Sequence, residues 1–216
     1  MGKSVQKGLV RKRDLTIALS KIEPHLSPKV YLEQYTIPPE IAAEILYIAT
    51  YTYNDVVGKR IVDLGCGTGR LSIGAVLLGA REIVGIDIDR MAVKSAHKNA
   101  KKMGVKGKTQ WIIGDIDVVR GPVDTVIMNP PFGTRVKHMD RIFLLKAISI
   151  AEVVYSLHKR TTRQYLRRFI GSKQGLVEAI FQMELKMMRV FNFHVKRKRM
   201  IEVDLYRIIS THKNYD

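Results

Sequence analysis

The chain of 216 residues carries 37 Lys and Arg against 20 Asp and Glu, a formal net charge of +17, and a single cysteine, Cys66. That length suits one domain with an ample core, and a charge excess of this size favours an anionic polymer, RNA or DNA, over a small metabolite. The lone thiol excludes an internal disulfide and gives no zinc site. No run of about eighteen apolar residues offers a membrane span, and the basic start Met1–Arg13 lacks a signal-peptide core, so a soluble, cytoplasmic protein without a metal is expected.

In chain order, Leu15–Lys21 has the apolar spacing of an amphipathic helix, after which Pro24, Pro28, Pro38 and Pro39 break the chain into extended pieces. A second helix follows Pro39, with Ile41, Ala42, Ile45, Leu46 and Ala49 on one face. Arg60–Leu64 reads as a short buried strand ended by a glycine loop, Arg70–Leu78 as a helix, and Glu82–Ile86 as the next strand. Asp89 caps a helix that runs to Met103. Strands are expected at Gln110–Ile113, Asp124–Met128 and Val153–Leu157, with helices over Arg141–Ile150 and Thr161–Ile170. After Gly175 the apolar residues switch to period two, through Val177, Ala179, Phe181, Met183 and Leu185 and again through Ile201, Val203 and Leu205, which predicts a terminal antiparallel pair. The alternation implies an α/β fold with a mostly parallel sheet covered on both faces. One domain is expected over 1–216, with a basic arm and helices in 1–55 and the core in 56–216.

Two loops carry chemistry. The first, Asp63-Leu64-Gly65-Cys66-Gly67-Thr68-Gly69, has G-x-G-x-G spacing, whereas a dinucleotide fingerprint is G-x-G-x-x-G. Its glycines let the backbone approach a ligand, and the helix N-terminus that follows favours a carboxylate such as the methionine end of S-adenosylmethionine. Asp63 is placed to offset an amino group or to hold the loop. Asp87, 22 residues beyond Gly65, suits the two ribose hydroxyls. Asp115 suits the cofactor's adenine amine, with Ile88 and Ile116 flanking the ring.

The second loop is Asn129-Pro130-Pro131-Phe132. Taken alone it reads as a Pro-Pro turn that ends a strand. Downstream of the glycine loop it reads as a site for a planar amine: the Asn129 side-chain carbonyl and the Pro130 main-chain carbonyl accept its two N–H groups, and Phe132 gives a flat base a surface. An exocyclic amine such as adenine N6 is a poor nucleophile because its lone pair is delocalised into the ring. Two acceptors favour the pyramidal form, acting where charge develops in the transition state. An amide does not take a proton at neutral pH, so Asn129 is not a general base.

The ordered set Leu32-Glu33-Gln34-Tyr35, Asp63 to Gly69 with Leu71-Ser72-Ile73-Gly74, Gly85 to Asp89, Asn129 to Thr134, Val154 to Lys159 and Ile201 to Leu205 resembles the methyltransferase-like 5 family. That family comprises eukaryotic and archaeal N6-adenine methyltransferases of small-subunit ribosomal RNA. The resemblance implies a Rossmann-like class I methyltransferase with a seven-stranded, mostly parallel sheet and an antiparallel terminal strand. It also implies a catalytic tetrapeptide at Asn129–Phe132 and S-adenosylmethionine held by Gln34, Gly65, Thr68, Asp87, Asp115 and Ile116. Eukaryotic members have Pro-Thr after Gln-Tyr, where this chain has Thr36-Ile37, so that cofactor contact passes to Thr36 or to the Ile37 backbone. Thr68 stands where those members often have Cys. The resemblance further implies a small zinc-binding activator protein as a partner.

Ligands of open parallel sheets bind outside the carboxyl ends of the strands. The loops expected there are basic: Arg135 and Lys137 after the tetrapeptide, Lys159 and Arg160 after the next strand, and Lys196, Arg197, Lys198 and Arg199 before the antiparallel return. With the Lys3–Arg13 arm they form a track for RNA phosphates, and Phe191, Phe193 and His194 are placed to stack on unpaired bases. Glutamine methylation of release factors, N2-guanine methylation of ribosomal RNA, DNA adenine methylation and a non-catalytic RNA-binding scaffold are the rival readings. The charge argues against the protein substrate, and the chain has no separate DNA-recognition domain.

Overall fold

Alternate residues of the first strand, β1 (Arg60–Leu64), pack on opposite faces of the sheet, Ile61 in one apolar core and Val62 and Leu64 in another. The same two-sided burial recurs in β2 (Glu82–Asp87), β3 (Thr109–Ile113), β4 (Val123–Met128) and β5 (Ala151–Lys159). The computed structural model describes residues 10–25, 27–133, 138–188 and 198–211. Two long strands, β6 (Gly175–Met188) and β7 (Lys198–Ser210), complete a seven-stranded sheet in the order β3-β2-β1-β4-β5-β7-β6. The first five strands are parallel and β7 runs antiparallel between β5 and β6.

One face is covered by α1 (Lys12–Ser20), α2 (Pro39–Tyr47) and α3 (Arg70–Leu77), the other by α5 (Met139–Ile150) and α6 (Arg163–Gly171). α4 (Arg90–Lys102) links β2 to β3 and is capped by Asp89, whose side chain accepts from the Met91 N–H at 3.1 Å. The crossover turns around β1, and the glycine loop and the tetrapeptide leave the same edge of neighbouring strands. Leu64 pairs with Met128 in the last register position of β1 and β4.

The expected elements are present with longer ends. The strand expected over Val153–Leu157 runs from Ala151 to Lys159, and Lys198 and Arg199, expected in a loop, already belong to β7. Period two fails at one place in β6. Val177 pairs with Ile208 and Ala179 with Arg207, so Glu178 is an extra residue in a bulge. Val177 therefore packs with Ile180 on the α5–α6 face, whereas Phe181, Met183 and Leu185 lie on the other. The Glu178 carboxylate meets the Arg207 guanidinium. Arg207 also pairs with Asp55 at 2.8 Å and lies 4.2 Å from the Tyr53 ring centre, and Tyr155 donates to Asp55 at 2.6 Å. This buried network ties the segment before β1 to β5 and β7.

The N-terminal helices are part of the core. Leu15, Leu19 and Leu46 are buried in the core, and Leu19 and Leu46 pack on α3 at the position of Gly74. A methyl group at Gly74 would overlap Leu46 Cδ1 and stand 3.2 Å from Leu19 Cδ2. Gly74→Ala should therefore destabilise the protein by about 1–3 kcal/mol, the usual cost of overpacking, and lower Tm by several degrees. Calorimetry of the variant checks this, and an unchanged Tm would mean that α2 moves aside without cost.

Candidate active site

The strand ends open into a cleft of about 380 Å³. Its floor is the glycine loop. Gly67 and Gly69 have positive φ, +53° and +80°, which side-chain-bearing residues rarely adopt. At Gly67 no atom lies within 4 Å of where a Cβ would stand, while at Gly69 a Cβ would meet the Trp111 indole at 2.6 Å. The loop thus rests on Trp111 on one side and leaves bare backbone on the other. Cys66 is a buried free thiol, and burial pushes its pKa up.

Both oxygens of Asp87 are engaged by backbone, one by the Gly67 N–H and one by the Asp89 N–H, each at 2.9 Å. Those bonds aim its remaining lone pairs at the cleft, which Asp87 lines. Burial pushes its pKa upward. Across the opening stand Ile88, exposed, and Ile116, buried, with Asp115 between them in the lining. Asp115 accepts from the Asp117 N–H at 3.0 Å and so caps the short turn after β3.

Three buried polar atoms in the described lining residues have no hydrogen-bond partner, Asp63 Oδ1, Thr68 Oγ1 and Arg70 Nε. The other Asp63 oxygen accepts from the Ser72 hydroxyl at 2.6 Å and the Ser72 N–H at 3.1 Å, which holds the start of α3. Burial, only partly offset by those bonds, pushes Asp63 up to about 7. Orphaned buried polar atoms are rare. A carboxylate oxygen beside a hydroxyl and a cationic side chain, Arg70, fits a zwitterion with both an ammonium and a carboxylate. The residues present therefore fit S-adenosylmethionine: Asp63 for the ammonium, Thr68 and the start of α3 for the carboxylate, Asp87 for the ribose, and Ile88, Asp115 and Ile116 for the base.

The cleft's outer wall is the segment between α1 and α2, held down by two charged side chains. Asp89 is 2% exposed and accepts from Lys29 Nζ (3.1 Å), Gln34 Nε2 (3.0 Å) and its own cap N–H, with His25 Nε2 at 3.0 Å. Although burial opposes ionisation, these hydrogen bonds hold its carboxyl at about 2. Arg70 donates to the carbonyls of Ile22, at 2.9 Å, and of Ile37. Three residues expected at the cofactor thus line the cleft while serving this wall. Gln34 has its amide engaged at both ends, the oxygen accepting from the Lys29 N–H at 2.8 Å. Thr36 Oγ1 accepts from the His25 N–H, and the Ile37 carbonyl is taken by Arg70.

Asn129 and Pro131 line the cleft, Pro130 is buried, and Phe132 is half-buried against Tyr35, ring centres 5.8 Å apart. Sequence reasoning missed Tyr35 as a site residue. Its hydroxyl donates to Asn129 Oδ1 at 2.7 Å, across 94 positions of chain, and burial raises its pKa so that it stays a donor. That bond fixes which end of the Asn129 amide faces inward and leaves the second lone pair of Oδ1 free. The only local signal is the position of Tyr35 next to Gln34. Met139, Ile142 and Phe143 of α5 also line the cleft and are readable from sequence only as a helix face.

The basic residues divide. Lys159 Nζ lies 5.5 Å from the Phe132 ring centre, at the rim. Arg160 spends its charge on Glu202 at 2.7 Å and on buried Asp204 at 3.6 Å. Arg135, Lys137, Lys196, Arg197, Phe191, Phe193, His194 and most of the basic arm lie outside the described residues, as do the side chains of Lys198 and Arg199. Among the described residues no helix is long and apolar enough to cross a membrane, and no cluster of His, Cys, Asp or Glu is placed to hold a metal ion.

Residues 46–130, which contain the glycine loop and end in the tetrapeptide, match the family model for ribosomal protein L11 methyltransferase. The chain is 36% identical over 212 residues to the Danio rerio rRNA N(6)-adenosine-methyltransferase METTL5, covering 92% of this chain and 99% of that one. It is 36% identical over 214 residues to the Drosophila melanogaster enzyme of the same name, covering 88% and 96%. A crystal structure of a candidate RNA methyltransferase from Pyrococcus horikoshii superposes with a TM-score of 0.86 at 41% identity, covering 96% of this chain and all of that one. Such identity, sustained over nearly the whole length and joined to this cleft, means that the chain belongs to the METTL5 family of class I methyltransferases.

Proposed function

We propose that this protein transfers a methyl group from S-adenosylmethionine to N6 of an unpaired adenosine in ribosomal RNA. The observation that carries the reading is the Asn129 amide, oriented by Tyr35 at the mouth of the cleft that fits the cofactor. S-adenosylmethionine supplies the electrophilic methyl group. Asn129 Oδ1 and the Pro130 carbonyl accept the two N–H groups of the target amine and hold it pyramidal, so that its lone pair is available. Phe132 and Lys159 form the surface on which the base lies, and a cation over an aromatic ring adds to such stacking. The amine's lone pair would form the new N–C bond as the sulfonium's S–CH3 bond breaks and leaves its electron pair on sulfur, and the surplus proton then leaves the nitrogen for water, since Asn129 has no basic site.

Extruding a paired base costs a few kcal/mol, which makes a looped or single-stranded adenosine the fitting substrate. The positive charge supports a nucleic acid over a release factor. The reading extends to small-subunit ribosomal RNA as target, a small zinc-binding activator as partner and action in the cytoplasm. The family resemblance supports the first two, and the third agrees with the lack, among the described residues, of a helix long and apolar enough to cross a membrane.

Tritiated-methyl transfer to small-subunit ribosomal RNA, with DNA and release-factor controls and nucleoside analysis, tests the reading. Label recovered as N6-methyladenosine is expected, and label in N2-methylguanosine or glutamine would overturn the substrate. Asn129→Ala should cut kcat by about 10²–10³, the usual effect of deleting one preorganised group of this kind, while cofactor affinity holds. Tyr35→Phe should cost roughly tenfold in kcat, about the worth of one hydrogen bond, again without loss of cofactor affinity. Undiminished turnover in either variant would refute its role.

The Asp63 carboxyl sets a pH dependence. In the free protein it keeps its proton up to about 7, and an ammonium beside it lowers that value, so cofactor binding releases a proton. Affinity should therefore fall about tenfold per pH unit below 7, and Asp63→Asn should flatten the profile. Stability runs the other way. The folded state holds this proton more tightly than the unfolded chain, so the contribution is complete below about pH 4 and is lost as pH rises through 7. Titration calorimetry in two buffers of different ionisation heat, near pH 6, reads the proton directly.

A further inference from the structure

Helix α6 carries Arg163, Arg167 and Arg168 and no acidic residue. Arg163 is bound through two nitrogens to buried Asp204, each at 2.6 Å. Arg167 and Arg168 are exposed and, among the described residues, have no carboxylate partner. Leu166 and Ile170 anchor the helix to the core, which turns Tyr165, 43% exposed, outward, while Phe169, one turn on, is half-buried against the core. Their rings are nearly parallel, 17° apart in orientation with centres 6.1 Å apart. Arg141, from the first turn of α5, donates to the Tyr165 hydroxyl at 2.8 Å and has its guanidinium carbon 5.9 Å from both ring centres. It too has no carboxylate partner among the described residues.

Two stacked rings and a guanidinium therefore form a preset aromatic and cationic surface beside the unpaired charge of Arg168, whereas Arg167 lies on the far flank of the helix. The arrangement adjoins the catalytic cleft. Met139, Ile142 and Phe143, on the same two turns of α5 as Arg141, line the cleft, and Lys159 at the Phe132 ring precedes α6 by one short turn. A surface of solvated arginines alone would need no aromatic partner, and the adjacent Arg160 and Arg163 show that this chain pairs arginines with acids when their role is structural. Flat aromatic and guanidinium groups stack on any unpaired base, and arginines beside them neutralise the phosphates that connect such bases.

We propose that the Arg141–Tyr165–Phe169 surface, with Arg168, is a docking platform for the single-stranded RNA that flanks the target adenosine. It rests on the reading of this protein as an RNA methyltransferase and adds a second point of grip outside the tetrapeptide and its loops. Bases stack on Tyr165 and Arg141, and Arg168 holds a phosphate between them. The platform selects for unpaired structure and not for sequence.

The test is fluorescence anisotropy of the full chain with a labelled single-stranded RNA oligonucleotide, and with its perfect duplex, across about 50–200 mM salt. Arg168→Ala should weaken single-strand binding most at low salt and reduce the log–log salt slope by about 0.7, the value for one phosphate that is no longer neutralised. Tyr165→Ala should weaken single-strand binding about tenfold, the effect of losing one stacked base, with the salt slope and duplex binding kept. Cofactor affinity, measured by calorimetry, should be unchanged in both, which a general folding defect would not allow. Methyl transfer by the wild type to the same RNA separates the two levels. If the wild type transfers methyl groups but the arginine variant binds RNA with unaltered affinity and slope, the platform is overturned and its arginines belong to a protein interface. If the wild type labels no RNA, the platform falls together with the substrate reading.

Discussion

The active site depends on one constraint: a segment of little regular structure, residues 22–37, must be held across the carboxyl ends of the strands. Two buried charges do this. Asp89 gathers Lys29, Gln34 and His25 from the segment while capping α4, and Arg70 takes two carbonyls from its ends while opening α3. Both side chains begin helices that follow strands of the sheet, so the wall is tied to the scaffold that carries the glycine loop and Asp87. Removing one partner of such a buried pair leaves a charge without compensation, which costs several kcal/mol. The segment also brings Tyr35 to Asn129. The cleft's outer wall and the Asn129 amide are therefore set by the same anchors.

Charge has different uses in different parts of the molecule. At the cleft, buried carboxylates are kept near one another by backbone N–H groups, and Asp63 and Asp87 are both shifted upward by burial whereas Asp89, with four donors around it, is shifted down. On β7, Asp204 and Glu202 neutralise Arg160 and Arg163, which makes that corner of the rim rigid and electrically spent. The excess positive charge belongs to residues without such partners, and the aromatic rings beside Arg141 and Lys159 give it local direction. A net charge of +17 says that a polyanion is favoured. Only the pairing pattern says which arginines are free to meet it.

Much of the fold was legible because it rests on local rules. Strand and helix periods follow from which residues face the core within a few positions. The glycine loop is readable because only glycine accepts those backbone angles at no cost. Where tertiary forces competed, the local reading slipped. Period two in β6 broke at Glu178, where the bulge lets a carboxylate reach Arg207. Gln34, expected at the cofactor, lines the cleft, and its amide is in addition committed to Asp89 and Lys29, because a wall segment must also satisfy its own polar groups.

The sequence by itself determined the α/β alternation, the order of motifs along the chain, the glycine loop and the amide-bearing tetrapeptide, each a matter of spacing within a few residues. The tertiary structure alone decided the pairings made across long stretches of chain. These are the Tyr35 bond to Asn129, the anchoring of the cleft wall by Asp89 and Arg70, the neutralised state of Arg160, and the meeting of α5 and α6 at Arg141, Tyr165 and Phe169. The physical reason is that a side chain's partner is fixed by which elements the packed sheet brings together, and periodicity along the chain carries no record of that distance.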